Sequence, residues 1–302
     1  MAGCLVDMSF CMAGRHHSQP ILDEVFRQSL RVEYVDADIA PLSAGHTTGW
    51  RVLPCLMFSQ AHSGSERILL PDGRHAEAAK GEAIVLPPGV RHKVDVTTRR
   101  ESRYWAHINC LVLDGLDLFS VIQAPLHLGR GLGRYVGEAI GGWVEERPDL
   151  EETPLALAAR RQELAARLLF LLAPVCKVRR QAAHRIEGAR RLGPVLQHMQ
   201  AHLADSVRRD DLARAAGLSA AQFHVVFRQN MGVSPGKYLQ TLRLRRAQQL
   251  LISTALPVKK VANTCGYADP FVFCKFFKRL SGYSPTEYRM RTMAIMRRPL
   301  TE

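Results

Sequence analysis

Two stretches of this chain carry the same helix, tight turn and capped helix, about 50 residues apart. In the first, Asp210-Asp211-Leu212-Ala213 opens a short helix with acidic residues at its positive end, and Gly217 marks a turn. Ser219 then supplies an N-cap for a second helix whose Phe223, Val226 and Phe227 fall on one face. In the second, Pro257 to Thr264 reads as a helix, Gly266 as the turn, Asp269 as the N-cap and Pro270 as the first helical residue. Phe273, Phe276 and Phe277 repeat the inward spacing. Lys237 to Ser253 joins the units as one helix, with Tyr238, Leu239, Leu242, Leu250 and Leu251 on its apolar side. Arg243, Arg245 and Arg246 lie on its more exposed side. Small residues at the helix crossings and a fixed separation make two helix-turn-helix units the economical reading.

Charge follows the same division. The whole chain has 302 residues and a net charge of +13, yet residues 1–150 hold 15 basic and 18 acidic residues. Residues 190–302 hold 19 basic and 6 acidic residues. A near-neutral half joined to a strongly basic one implies one domain that meets a polyanion and another with a separate task. With 47% apolar and 23% charged residues, disordered, collagen-like and membrane classes are excluded as descriptions of the chain.

From Arg191 to Arg289 the chain resembles the AraC/XylS family of bacterial transcription regulators. The resemblance rests on Asp211-Leu212-Ala213 through Gly217-Leu218-Ser219, Gly232-Val233-Ser234-Pro235, Tyr238-Leu239 and Leu242-Arg243-Leu244. It continues through Val261-Ala262, Cys265-Gly266-Tyr267, Phe276-Phe277-Lys278-Arg279 and Gly282-Tyr283-Ser284-Pro285. It implies a seven-helix DNA-binding domain in which a central helix holds two recognition helices apart, each entering a major groove about 34 Å from the other. For the first recognition helix the base-edge candidates are Ala221, Gln222, His224 and Val225, since Gln can pair with adenine and Ala or Val suits a thymine methyl. For the second they are Pro270, Phe271, Cys274 and Lys275, a departure from the small polar residues usual in the family at Pro270 and Phe271. Arg228, Arg243, Lys278 and Arg279 are the phosphate candidates.

Residues 31–113 read as short strands: Val32–Val35, Leu53–Ser59, Glu66–Leu70, Ala83–Leu86, Lys93–Thr97 and Tyr104–Val112. Pro71-Asp72-Gly73-Arg74 is a turn signal between two of them. Gly81 through Pro87-Pro88-Gly89 to His92 resembles the second cupin motif and implies a barrel with His92 aimed inward. No HxH motif occurs, His16 and His17 are adjacent, and His46, His62, His75 and His107 are scattered. No metal, other cofactor or catalytic residue is therefore expected. Trp105, His107 and Asn109 alternate on one face. With His92 they are the effector-binding candidates, suited to a small polar ligand such as a sugar; a buried Trp105 and a satisfied His107 are the alternative.

The fold class expected is α+β multidomain: a cupin-like β-barrel with following helices, then an all-α domain with two helix-turn-helix units. The sensor covers 1–130, a helical dimerisation region and linker 131–189, and the DNA-binding domain 190–302, with its units at about 210–230 and 257–280. Leu132, Tyr135, Val136, Ala139, Ile140, Trp143 and Val144 form one amphipathic helix, ended by Pro148. Thr153-Pro154 starts another, whose leucine-rich face from Leu157 to Leu172 suggests a homodimer. Lys177 to Arg191 reads as the linker, with a helix as the alternative. Seven cysteines without repeated spacing, no secretory leader and no long apolar run point to the cytoplasm, while the resemblance implies a regulator and the missing catalytic motifs no enzyme. Its expected partners are double-stranded DNA, a small-molecule effector, a second copy and RNA polymerase, and no membrane.

Overall fold

A computed structural model describes residues 19–43, 47–96, 100–113, 115–145, 153–205 and 208–290. His16, His17, His46, Thr97, Pro148, Cys4 and Cys11 lie outside the described residues. The chain opens with α1 (Gln19–Ser29), β1 (Arg31–Ser43), β2 (Arg51–Val52), β3 (Leu56–Ser63), β4 (Ser65–Leu69) and β5 (His75–Ala79). There follow β6 (Ala83–Leu86), β7 (Arg91–Val96), β8 (Arg100–Val112), β9 (Leu116–Asp117), β10 (Ile122–Gln123) and β11 (His127–Leu128). Two antiparallel sheets result, one in the order β1-β8-β3-β6-β11 with β9 on β8, the other in the order β2-β7-β4-β5. The β4–β5 hairpin closes where the sequence asks for a turn: Leu70 N donates to the Arg74 carbonyl at 2.8 Å, and Gly73 adopts φ 82°.

Alternation along β8 sorts its side chains onto two surfaces. Tyr104, Ala106, Ile108 and Cys110 join a large apolar cluster beneath the helices. Arg103, Trp105 and His107 take the opposite face, toward the second sheet. A smaller cluster containing Val35, Cys55, Met57, Ile68, Ile84, Leu86 and Val94 fills the space between the sheets. This is the barrel-like arrangement that the strand pattern predicts.

Helices α2 (Arg130–Glu145) and α3 (Pro154–Leu172) cover the outer face of the first sheet. Thr153 caps α3, its hydroxyl accepting from Ala156 N, with Pro154 at the first position. Leu164, Ala165, Leu168, Leu169 and Leu172 are buried, and α3 packs on β1 and α2. The leucine-rich face expected to pair with a second copy is thus largely covered by the same chain, because β1 is a sheet edge with an apolar flank to be shielded. On the outer side of α3, Leu155 and Phe170 remain 80% and 76% exposed.

Beyond β12 (Lys177–Val178), which pairs with β10, the segment expected as a linker forms α4 (Ala182–Arg191). Its buried residues are mostly small: Ala182, Ile186, Gly188 and Ala189. That explains a weak apolar pattern in a helix that packs closely. A Cβ added at Gly188 would overlap the Asn230 side chain. The run of helices thus includes α4, which is docked against the first helix-turn-helix. It continues through α5 (Gly193–Ala201), α6 (Arg209–Ala215), α7 (Ala220–Met231), α8 (Pro235–Ser253), α9 (Val258–Thr264) and α10 (Pro270–Ser281). Residues 285–290 form a last helical turn.

Two apolar clusters share this unit. Phe223, Phe227, Tyr238 and Leu242 belong to the large cluster that reaches back to the barrel. Leu244, Ala247, Leu250, Val261, Phe273, Phe277 and Tyr288 form a separate one. Each of the three clusters encloses one buried free cysteine, Cys110 under the helices, Cys55 between the sheets and Cys265 in the distal unit, while Cys176 and Cys274 are half-buried at the edges of the first and third. Phe277 is fully buried, with ring centroids 5.8 Å from Phe273 and 5.3 Å from Tyr288. Phe277→Ala should cost about 3–5 kcal/mol of the distal unit's stability, read as an earlier urea transition in far-UV circular dichroism.

Candidate nucleic-acid interface and barrel interior

The two recognition helices are fixed at both ends by their own sequence. On α7, Ser219 Oγ accepts from Gln222 N at 3.3 Å, and Gln222 Oε1 accepts from Ser219 N at 3.2 Å, a capping box. On α10, Asp269 Oδ1 accepts from Phe271 N at 2.7 Å, and Pro270 follows as the first helical residue. Both helices stop at a left-handed glycine, Gly232 with φ 74° and Gly282 with φ 85°.

Those ends decide which residues face outward. On α7, Ala221, Gln222, Val225 and Arg228 are exposed, whereas His224 is half-buried. His224 lies in an open groove of about 840 Å³ with His184, Arg185, Val225 and Arg228. On α10, Phe271, Val272, Lys275, Lys278 and Arg279 are exposed, and Pro270 and Cys274 are half-buried. The candidates on each helix are thus brought onto one surface.

Two of the sequence assignments meet competing uses. Gln222 was expected to pair with adenine, but its carbonyl oxygen is occupied by Ser219 N and by Ser219 Oγ, the latter at 2.9 Å. A bidentate adenine pair would have to dissolve that cap. Arg243 was expected on phosphate. Instead its Nε donates to the Leu203 carbonyl at 3.0 Å and an Nη to the Asp205 carbonyl at 2.9 Å, while the guanidinium stacks 5.4 Å from the Tyr267 ring. Carbonyls left open after α5 need donors, and a helix-borne guanidinium meets that need. Val272, His184 and Arg185 escaped the sequence reading: Val272 sits at a capped helix start, and the other two are on the segment read as a linker.

Inside the barrel, three of the four effector candidates converge. His92 and His107 both lie near Arg51 and Arg103, and the Trp105 and His107 rings are 4.9 Å apart. Asn109, further along the strand, donates its amide to Glu33 of β1 at 3.4 Å. The sequence reading missed Arg51, Ser59, Glu66 and Arg103. Arg103 Nη1 donates to Glu66 Oε1 at 2.7 Å, and Ser59 Oγ donates to the same carboxylate at 2.6 Å, all three side chains being buried. Arg103 was legible as the next inward position before Trp105, but a charge on a core register invites being read as strand end.

Arg51 Nε donates to His92 Nε2 at 3.1 Å. The imidazole is then neutral, with Nδ1–H donating to the Val90 carbonyl at 2.9 Å. Burial, reinforced by the Arg51 and Arg103 charges, lowers the His92 pKa to about 4 and lowers that of His107 as well. His107 Nε2 and Arg103 Nε are buried without a hydrogen-bond partner. Trp105 is buried, as the alternative reading of this strand expected, whereas the His107 nitrogen beside it is left unmet.

Barrel and helical unit touch directly. Tyr238 Oη donates to the Gly115 carbonyl and Tyr288 Oη to the Val35 carbonyl, each at 3.3 Å. Between them lies a cleft of about 340 Å³ with Pro54, Pro88 and Asp117 on one wall and Tyr238, Thr241 and Arg245 on the other. Burial raises the Asp117 pKa to about 6 against the lowering effect of Arg245.

A barrel joined to a double helix-turn-helix unit is the class that this fold and these caps define. The family described as a helix-turn-helix domain matches residues 212–291. The probable transcriptional regulator LumQ of Photobacterium leiognathi is 35% identical over 101 residues, 33% of this chain and 41% of that protein. The HTH-type transcriptional activator RhaS of Escherichia coli O1:K1 / APEC is 33% identical over 140 residues, 46% of this chain and 49% of its own length. The chain thus spans less than half the length of these curated relatives. ToxT from Vibrio cholerae O395 shares the fold, with a TM-score of 0.51 at 10% identity over 87% of this chain and 98% of that one. Over residues 212–291 the chain thus matches a helix-turn-helix domain, and the relatives that share this part of it are named transcriptional regulators. Among the described residues, no helix is long and apolar enough to cross a membrane.

The neutral His92 gives a pH signature. Its folded pKa near 4 lies below the ordinary value of about 6.5, so the unfolded chain takes the proton first. The contribution is whole above about pH 6.5 and is lost as pH falls toward 4. Thermal melts should show wild type losing stability relative to His92→Gln across that window, with a constant difference above it.

Proposed function

We propose that the protein is a sequence-specific DNA-binding transcription regulator whose barrel senses a small polar molecule. The observation that carries this is the pair of recognition helices, each capped by a side chain and ended by a left-handed glycine, within a strongly basic domain. Phosphate neutralisation supplies affinity, and side chains at groove edges supply sequence. Relatives named as transcriptional regulators support the same reading, which includes no catalytic step.

The sensing half of the proposal rests on His92, Trp105 and His107 around the buried Arg103–Glu66 pair. A sugar suits that set, its C–H face on the indole and its hydroxyls on the unmet nitrogens. The message reaches the helical unit through β1: Asp36 pairs in register with His107, and its neighbour Val35 accepts from Tyr288. A homodimer through Leu155 and Phe170 of α3 completes the reading, with RNA polymerase as the further partner of a DNA-bound regulator and the cytoplasm as its location.

Binding to duplexes selected from a random pool tests the DNA reading. His224→Ala should relax base preference within one half-site, whereas Lys278→Ala should weaken every sequence alike and lower the salt slope by about one. Equal losses on all sequences for both variants would contradict the assignment. For the dimer, sedimentation of Leu155→Glu/Phe170→Glu should give a monomer where wild type gives a dimer; a monomeric wild type, with and without DNA, rejects that interface.

A further inference from the structure

The two recognition helices are related by a constant offset of 50 positions, from Ser219 to Asp269 at one end and from Gly232 to Gly282 at the other. Each outward position on α7 therefore has a counterpart on α10: Ala221 with Phe271, Gln222 with Val272, Val225 with Lys275, Arg228 with Lys278. On α10 the two leading positions are apolar and open, Phe271 being 80% exposed and Val272 54%. Val225 of α7 is 52% exposed. Large apolar side chains held bare at the start of a capped helix forgo favourable burial.

Charge identifies what covers them. Lys275, Lys278 and Arg279 are exposed further along α10, and Lys259 and Lys260 at the start of α9. The acid at the helix start, Asp269, is engaged as the cap. An apolar tip on a helix that continues in cations fits a surface that is apolar locally and anionic at its borders. The major groove has one apolar feature at its base edges, the C5-methyl of thymine, flanked by phosphates. Opposite any other edge, Phe271 would strip water from an amino or carbonyl group and return no hydrogen bond, which is unfavourable.

We propose that Phe271 and Val272 read thymine through its C5-methyl, with Val225 doing the same in the first unit, so that the half-site under α10 carries adjacent thymines. The second unit is then a base reader whose discrimination comes from methyl contact and from the penalty on polar edges, with no hydrogen bond to a base. Lys275, Lys278 and Arg279 hold the backbone. This rests on the DNA-binding reading above.

The test uses the full chain and duplexes selected from a random pool at fixed salt. In a selected duplex each thymine is replaced in turn by deoxyuridine, which keeps charge and hydrogen bonding and lacks only the methyl. Wild type should lose about fourfold in affinity per contacted methyl, at neighbouring positions in one half-site. Phe271→Ala should bind the thymine duplex more weakly, lose its uracil sensitivity at one of those positions while keeping it at the neighbour that Val272 contacts, and keep the wild-type salt slope; Phe271→Leu should restore much of the lost sensitivity. Binding of thymine and uracil duplexes within twofold at every position overturns the proposal, as does a Phe271→Ala variant that keeps the wild-type uracil sensitivity at every position. If Phe271→Ala binds all duplexes normally and loses a protein partner instead, the patch is a protein contact and the proposal fails. If no sequence is enriched above the pool, the DNA-binding reading itself falls and takes this one with it.

Discussion

Everything in the helical half depends on α8 being buried in two cores at once. Tyr238 and Leu242 at its start belong to the cluster that contains Phe223 and Phe227, while Leu244, Ala247, Leu250 and Leu251 belong to the cluster around Phe273 and Phe277. Nineteen residues at about 1.5 Å each give a strut of roughly 28 Å. Neither recognition helix can rotate without dragging apolar side chains out of one end of that strut. Arg243, taken up by the carbonyls of Leu203 and Asp205, adds a polar clamp at its middle. Spacing between the two helices is thus set by burial, with a charged residue of α8 helping to hold the frame.

The same strut begins at the barrel. Tyr238 is both a core residue of the first unit and a donor to Gly115, and Arg245 faces the buried Asp117 across the cleft. The barrel therefore bears on the reader at its two ends, through Tyr238 near the first unit and Tyr288 beyond the second. An irregularity in β1 between Tyr34 and Asp36 lies directly beside the Tyr288 contact. Such irregularities bend a strand and re-aim its side chains, so the distal unit meets the barrel where the edge strand changes register.

Much of this was legible in the sequence because it is written in short-range signals. The capped helices, the Pro71–Arg74 turn and the strands β4 and β6 follow from periodicity and cap chemistry at neighbouring positions and appear close to their expected bounds, whereas β5 was not foreseen and β8 begins four residues before Tyr104. What escaped depends on partners far along the chain. Helix α4 buries mainly alanine and glycine, so its docking on Asn230 leaves little apolar signature. Arg51 and Glu66 look like surface charges until β2 and β4 bring them opposite His92 and Arg103. Gln222 is a groove reader by position and a capping residue by geometry, and spacing does not distinguish these. The leucine face of α3 illustrates the converse: an apolar stripe announces that it will be covered without saying by which chain.

The three buried thiols give each core its own clock. Burial lifts the Cys55 pKa to about 12 and that of Cys265 to about 11, and raises that of Cys110 too, so none reacts as thiolate while its cluster is closed. Modification must wait for local opening, and its rate in each case measures how often that body of the protein comes apart. The barrel interior, the helix-covered sheet and the distal reader are thereby labelled from within, at one native position apiece. A ligand that stiffens the barrel would slow one clock, and a duplex that stiffens the reader would slow another. Whether the first also slows the second is how communication between the halves would show itself.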